Sequence, residues 1–284
     1  MRVYMRFPGG LHKALTLSYD DGVETDIRLI GIMKKHGLMG TFNLNSGIFA
    51  PEGTTYPEGQ AQRRMALSGI LSTFTDCGME VAVHGYTHPF LEQMPASSCT
   101  LEIVRDRERL EELFGGIIRG MAYPYGTYND TVIDVLRNCG IAYSRTTKTT
   151  EKFSIPTEFL AWDPTCHHNN PRLFELADKF VASKAARAPE LFYLWGHSYE
   201  FDGRNNWDVI ETFAEKTGGH DDIWYATNIE IADYVTAYKS LRYSMNGKVI
   251  FNPTAYEVWF QIGAETYSVK PGESITLTGV DGNI

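Results

Sequence analysis

Over its first 240 residues the chain alternates short apolar runs with segments of helical period, and this alternation narrows the possible folds more than any other feature. The runs are "KALTLS" (13–18), "GTFNL" (40–44), "MEVAVH" (79–84), "IIRGMAY" (117–123), "IAYSR" (141–145), "EFLAW" (158–162), "LFYLWG" (191–196) and "DIWYA" (222–226). Several are apolar at consecutive positions, as strands buried on both faces of a parallel sheet are. Between them, Val132, Val135, Leu136 and Cys139 form a helical stripe after a cap at Asn129, with Gly140 as the stop. In "NNPRLFELADKFVAS" Asn170 is the expected cap and Pro171 the first helical residue. In "NIEIADYVTAY" the expected cap is Asn228, and Ile231, Tyr234, Val235 and Tyr238 make the stripe. Such alternation predicts right-handed βα units, and about eight strands in this length suit a (β/α) barrel or partial barrel of TIM type.

The pattern changes after residue 240. "KVIFNPTAYEVWFQIGAETYSVKPGESITLTG" breaks into β-rich runs at "NP", "IG" and "PG". The expected division is a barrel over 1–240 and a small antiparallel appendage of three or four strands over 241–284. Segment 51–69, "PEGTTYPEGQAQRRMALSG", reads as a long polar loop at the rim of a site.

Net charge bounds the partners. At −9 over 284 residues the chain offers no basic face for nucleic acid. No run of 18 apolar residues crosses a membrane, and "MRVYMRFPGG" lacks the apolar stretch of a secretory signal, so a cytoplasmic location is the expectation. The four cysteines, Cys77, Cys99, Cys139 and Cys166, are scattered without a CxxC pair and read as reduced thiols.

Parallel barrels carry their chemistry at the carboxyl ends of the strands. The residues that follow the apolar runs are Asp20 and Asp21, then His84 with His88 four positions on, then "YPYG" (123–126), Arg145, "WDPTCHH" (162–168) and His197. His84, His88 and one Asp make a three-ligand set that leaves a divalent ion open to water or substrate. Adjacent carboxylates repel unless a cation neutralises them, so Asp21 reads as the metal ligand and Asp20 as the base. His197 is the candidate general acid, since imidazole titrates near neutrality. The tight turn at Tyr125 can aim its backbone N–H at a developing oxyanion. Among the aromatics near strand ends, Trp162, Trp195, Tyr199 and Trp207 can stack on a sugar, with core the favoured place for Trp195. His167 and His168 either bind substrate or form a plain loop pair, and Cys166 has no second cysteine at zinc-site spacing.

In this order, "LSYDDG", "HGYTH", "AYPYG" and "LFYLWGHSYE" resemble the polysaccharide deacetylase family (NodB homology domain, carbohydrate esterase family 4) from about Leu11 to Tyr238. The resemblance implies a distorted (β/α) barrel and metal-dependent removal of an acetyl group from an N-acetylated, or O-acetylated, carbohydrate. It implies Asp20 as base, Asp21, His84 and His88 as ligands of Zn2+ or Co2+, and His197 as acid. It also implies that Asp163 orients an imidazole. The sequence departs from the family pattern at Ala122, where an Arg normally partners the base; Arg145 is the expected substitute. That departure keeps two alternatives open, a hydrolase of another small or cyclic amide and a non-catalytic carbohydrate-binding protein that retains the metal site.

Overall fold

The computed structural model describes residues 3–184 and 187–277. A first strand, β1 (Val3–Arg6), precedes the alternating region, which begins with β2 (Lys13–Asp20), α1 (Asp26–Lys35), β3 (Gly40–Leu44), α2 (Leu67–Phe74), β4 (Glu80–Val83) and α3 (Ala96–Phe114). It continues through β5 (Gly120–Ala122), α4 (Asp130–Asn138), β6 (Tyr143–Arg145), β7 (Cys166–His167), α5 (Leu173–Ala182) and β8 (Glu190–Gly196). It closes with α6 (Tyr199–Arg204), α7 (Asp208–Thr217), β9 (Ile223–Tyr225) and α8 (Asn228–Lys239). The sheet runs β6-β5-β4-β3-β2-β8-β7, all pairs parallel. All eight residues of β2 are buried, polar Thr16 and Ser18 included, as befits a central strand covered on both faces.

The result is a distorted (β/α) barrel, and two features account for the distortion. β8 pairs with β2 from Lys13 to Tyr19, so β2 has one edge left for two partners. β9 takes its first half (Lys13–Leu15) and β3 its second (Leu17–Asp20). On the far side the ring closes through an irregular segment. The expected strand at 158–162 is instead a 3-10 turn at Phe159–Ala161, where the Glu158 side chain accepts the Leu160 N–H. Only Trp162 pairs with β6, exchanging bonds with Ser144 and Thr146 at 3.0 Å, before β7 joins β8. The run is as apolar as a strand, but a local side-chain cap diverts it into a turn.

Two helix starts also differ from expectation. α5 begins at Leu173, because Asn170 takes the Arg172 N–H and forms a turn ahead of the helix. α8 is capped by Thr227 in a reciprocal box with Glu230. Asn228 is instead fully buried, accepting from Thr16 at 2.8 Å and donating to the Tyr193 hydroxyl at 2.6 Å. Asn129 does cap α4, accepting the Val132 N–H.

Beyond α8 lie five strands among the described residues, more than the three or four expected: β10 (Arg242–Tyr243), β11 (Val249–Phe251), β12 (Val258–Ile262), β13 (Glu265–Val269) and β14 (Ser274–Thr276). β10-β11-β14 form one antiparallel sheet and β1-β12-β13 another, so β1 is paired with a strand from beyond α8. Ile250, Val258, Phe260, Ile262 and Val269 pack with Ala237 and Leu241 at the end of α8. The Tyr234 hydroxyl ties this sheet to the barrel, donating to Arg6 O and accepting from Trp259 N. A division at residue 240 remains a proposal; the strand pairing crosses it. All four cysteines are free thiols. No helix among the described residues is long and apolar enough to cross a membrane.

Candidate active site

At the carboxyl ends of the strands a cavity of about 1020 Å³ is walled by Asp20, Asp21, His84, His88, Tyr125, Trp195, His197 and Tyr199. Residues 48–64, including Tyr56, Gln62 and Arg64, form its opposite wall, so the polar loop is the rim element its composition suggested.

Asp21, His84 and His88 each present one donor atom, all within 4.8 Å of one another. The His84 ring is fixed by its Nδ1, 2.8 Å from Ala122 O, which leaves Nε2 with a free lone pair facing the carboxylates. Burial holds His84 below the usual imidazole range despite Asp20 and Asp21, and burial with neighbouring His84 lowers His88 to about 4. Neutral imidazoles and one carboxylate, converging at this spacing, fit a divalent cation. Arg64 donates to Asp21 Oδ1 at 2.8 Å, and Gln62 to Oδ2 at 3.1 Å. Asp21 (φ 85°), His88 (φ 58°) and Tyr125 (φ 59°) all lie in the left-handed region, where non-glycine residues are strained. Three of the six described non-glycine residues in that region thus line the cavity.

Asp20 lies beside this set, only 2% exposed. Arg145 donates to its Oδ2 at 2.5 Å and Asn43 to its Oδ1 at 2.8 Å. Burial pushes the Asp20 carboxyl up, but Arg145, His84, His197 and Asn43 outweigh it and keep the group below the ordinary carboxylate range. The Arg145 guanidinium also lies 4.4 Å over the Trp195 ring.

His197 Nε2 is 3.7 Å from Asp20 Oδ2, and its Nδ1 is 2.8 Å from Glu200 Oε1. Burial opposes protonation of His197, yet Glu200, Asp20 and Asp21 raise it above the usual value. Ser198 anchors the same turn, donating to buried Asp26 at 2.5 Å. Gly196 is required there, since a Cβ would come within 2.1 Å of His168 Nδ1.

Other expected residues lie elsewhere. Asp163 meets no imidazole; it accepts from Thr146 at 2.6 Å and pairs with Lys148 at 3.2 Å. Trp162 is 1% exposed and packs among Tyr143, Phe159 and Tyr193. Trp207 packs on Phe201 and Arg28, and Trp195 is buried as expected while its exposed edge lines the cavity. His167 lies behind that wall, edge-on to Trp195 at 4.5 Å and 3.2 Å from Glu200. Tyr125 stacks on Phe90 and meets His88 edge-on. Sequence reasoning missed Asn43, Arg64 and Glu200. A lone Asn inside a buried strand and an acid three residues after His197 were the available signals.

Residues 8–144 match the polysaccharide deacetylase family. Over that span, just under half of its length, the chain is similar to this family. The span holds Asp20, Asp21, His84, His88 and Tyr125 and stops short of His197. A 125-residue stretch is 26% identical to an uncharacterized protein of Streptomyces coelicolor, covering 44% of each chain; the present chain thus spans less than half the length of that curated relative. Among solved structures, a Mycobacterium smegmatis protein assigned to the polysaccharide deacetylases is similar with a TM-score of 0.56 at 18% identity, over 83% of this chain and 94% of that one. A family 4 carbohydrate esterase from Streptomyces lividans, in complex with acetate, gives a TM-score of 0.47 at 17% identity, over 76% and 93%. The first of these likenesses shows the fold, a distorted (β/α) barrel that this chain shares with the Mycobacterium smegmatis protein.

Proposed function

We propose that this chain is a divalent-metal-dependent hydrolase that removes acetyl groups from an acetylated carbohydrate. What carries the reading is the meeting on one cavity wall of the Asp21–His84–His88 donor set, ion-paired Asp20 and His197. Asp21, His84 and His88 would hold the cation, which when bound supplies Lewis-acid activation of water and of the acetyl carbonyl. Zn2+ suits the two-imidazole, one-carboxylate set, and Co2+ is the other candidate.

Asp20, kept ionised by Arg145, accepts the proton of the attacking water. The Tyr125 N–H is offered to the oxyanion of the tetrahedral intermediate. His197, favoured in its protonated form, gives a proton to the departing amine. Trp195 and Tyr199 give the sugar ring apolar faces, a role the burial of Trp162 moves away from that residue.

The test is elemental analysis of purified protein beside a His84→Ala/His88→Ala double variant, followed by acetate release from N-acetylglucosamine oligomers. One cation per chain, lost in the variant, together with acetate release supports the reading. Glycan binding without acetate release from any acetylated sugar would put the binding-protein reading first. A CE4 family pseudoenzyme from Bacillus anthracis is among the similar structures, so the catalytic step has to be measured directly.

A further inference from the structure

Glu200 sits at the centre of a cluster behind the cavity wall. Its Oε1 is 2.8 Å from His197 Nδ1 and 3.2 Å from His167 Nε2, and its Oε2 is 3.6 Å from His168 Nε2. Asn169 donates to Oε2 at 2.5 Å, and Arg204 lies 3.3 Å away. Burial pushes the Glu200 carboxyl up, but His167, His168 and His197 hold it far below the ordinary range.

Tautomers decide what this cluster does. The Asn169 backbone N–H donates to His167 Nδ1 at 3.1 Å, so that nitrogen holds the lone pair and Nε2 carries the hydrogen that points to Glu200. His197 Nδ1 faces the same carboxylate, an acceptor only, and therefore carries a hydrogen too. The cluster is thus a carboxylate receiving N–H groups. His167, His197 and Glu200 are close enough for a metal ion, but that would need a lone pair on the His167 nitrogen the bonding pattern protonates.

We propose that Glu200 is the positioning residue of His197, replacing the expected Asp163, and that His167 holds Glu200 in place. The proposal rests on His197 acting as the general acid. Glu200 acts only through His197: it fixes the ring so that Nε2 faces Asp20 and the cavity, and it stabilises the imidazolium that donates the proton. The proton leaves His197 Nε2 as the C–N bond breaks and the amine takes the electron pair. Because Glu200 is on the first turn of α6, the acid and its positioning carboxylate are set by one helix start.

The experiment compares two substrates in wild type, Glu200→Gln, Glu200→Asp and His197→Ala. N-Acetylglucosamine oligomers have an amine leaving group that needs a proton, whereas 4-nitrophenyl acetate does not. Glu200→Gln should lower kcat on the oligomers about 100-fold with KM within about threefold, and leave nitrophenyl ester hydrolysis within about threefold. Glu200→Asp should recover part of the loss. Equal losses on both substrates, or no loss on either, would overturn the proposal. If His197→Ala itself fails to split the substrates, the assignment of His197 as acid has failed rather than the Glu200 inference. Nitrogen-15 NMR of the imidazoles at a pH high enough to make His197 neutral tests the inference without turnover: His197 should carry its hydrogen on Nδ1 in wild type and lose that preference in Glu200→Ala. An unchanged tautomer refutes the proposal. So does a second equivalent of bound zinc that disappears in Glu200→Gln, which would make the cluster a metal site.

Discussion

Replacing Arg145 with methionine tests the most heavily buried charge pair at the site. Arg145 is fully buried and Asp20 nearly so, and the 2.5 Å bond between them is the shorter of the two side-chain bonds Asp20 accepts. Among the described residues Arg145 Nε and Nη1 are buried without a hydrogen-bond partner, which leaves the guanidinium this bond and its contact with the Trp195 face. Methionine keeps much of the stem volume and removes the charge. Asp20 then retains only the Asn43 amide at 2.8 Å. Stranding one member of a buried pair costs about 3–5 kcal/mol, whereas removing both charges is often close to neutral. Urea unfolding followed by circular dichroism at pH 7, in the presence of a chelator so that no cation replaces the guanidinium, gives the stabilities directly. Arg145→Met should lose about 3–5 kcal/mol, and Asp20→Asn/Arg145→Met should return to within about 1.5 kcal/mol of wild type. An Arg145→Met stability within about 0.5 kcal/mol of wild type refutes the reasoning, because Asp20 would then not depend on that cation.

Three further outcomes follow from the packing. Trp162→Ala should cost about 3–5 kcal/mol in denaturant unfolding, while Tyr199→Ala should cost under about 1 kcal/mol and raise KM for acetylated oligomers about fivefold; the reverse ranking would exchange their assignments. Asn228→Ala leaves Thr16 and Tyr193 unpaired in the core and should cost about 2–3 kcal/mol, against about 1 kcal/mol for Thr227→Ala at the helix cap, measured by the same unfolding assay. Burial raises the Asp26 carboxyl from its ordinary 3.8 to about 7, against the bonds from Ser198 and Val23. A carboxyl raised in the folded state contributes fully below its unfolded value near pH 4, and that contribution is lost as pH rises through about 7. The unfolding free energy of Asp26→Asn relative to wild type should therefore climb by about 2–3 kcal/mol between pH 5 and pH 8, and a flat difference would reject burial as the cause.

How much of this was legible depended on the range of the forces involved. β8 was readable almost to the residue because full burial on both faces leaves an unbroken apolar run, and β3 because its short run is bounded by Gly40 and the polar turn after Leu44. Asp20, Asp21, His84, His88 and His197 were readable because a strand end places them at the cavity whatever the connecting loops do. The 158–162 run was misleading: apolarity reports burial, and a 3-10 turn packed under the barrel is as buried as a strand. Trp162 was misplaced for the same reason, since which face of the closing segment looks inward is fixed by ring closure rather than by neighbours in sequence; Trp195, on β8, is buried as expected and its remaining surface faces the cavity. Arg64 and Glu200 were missed because an arginine in a polar loop and an acid in a first helical turn have ordinary local explanations. Their partners, Asp21 and the imidazoles of His167 and His197, are supplied by the tertiary fold.

The pairing of β1 with β12 bears on how the protein is made. Val3 finds its register against Ile262, so the segment through Ile262 must leave the ribosome before β1 can be satisfied. Until then β1 presents open backbone donors and acceptors, a template for another nascent chain. The barrel strands pair with nearer neighbours in sequence and can form while synthesis continues. Synthesis therefore leaves an interval in which the strand ends that line the cavity can be assembled while the β1 edge is still unzipped. Ribosome-stalled chains that end before residue 258 are where aggregation during expression should concentrate.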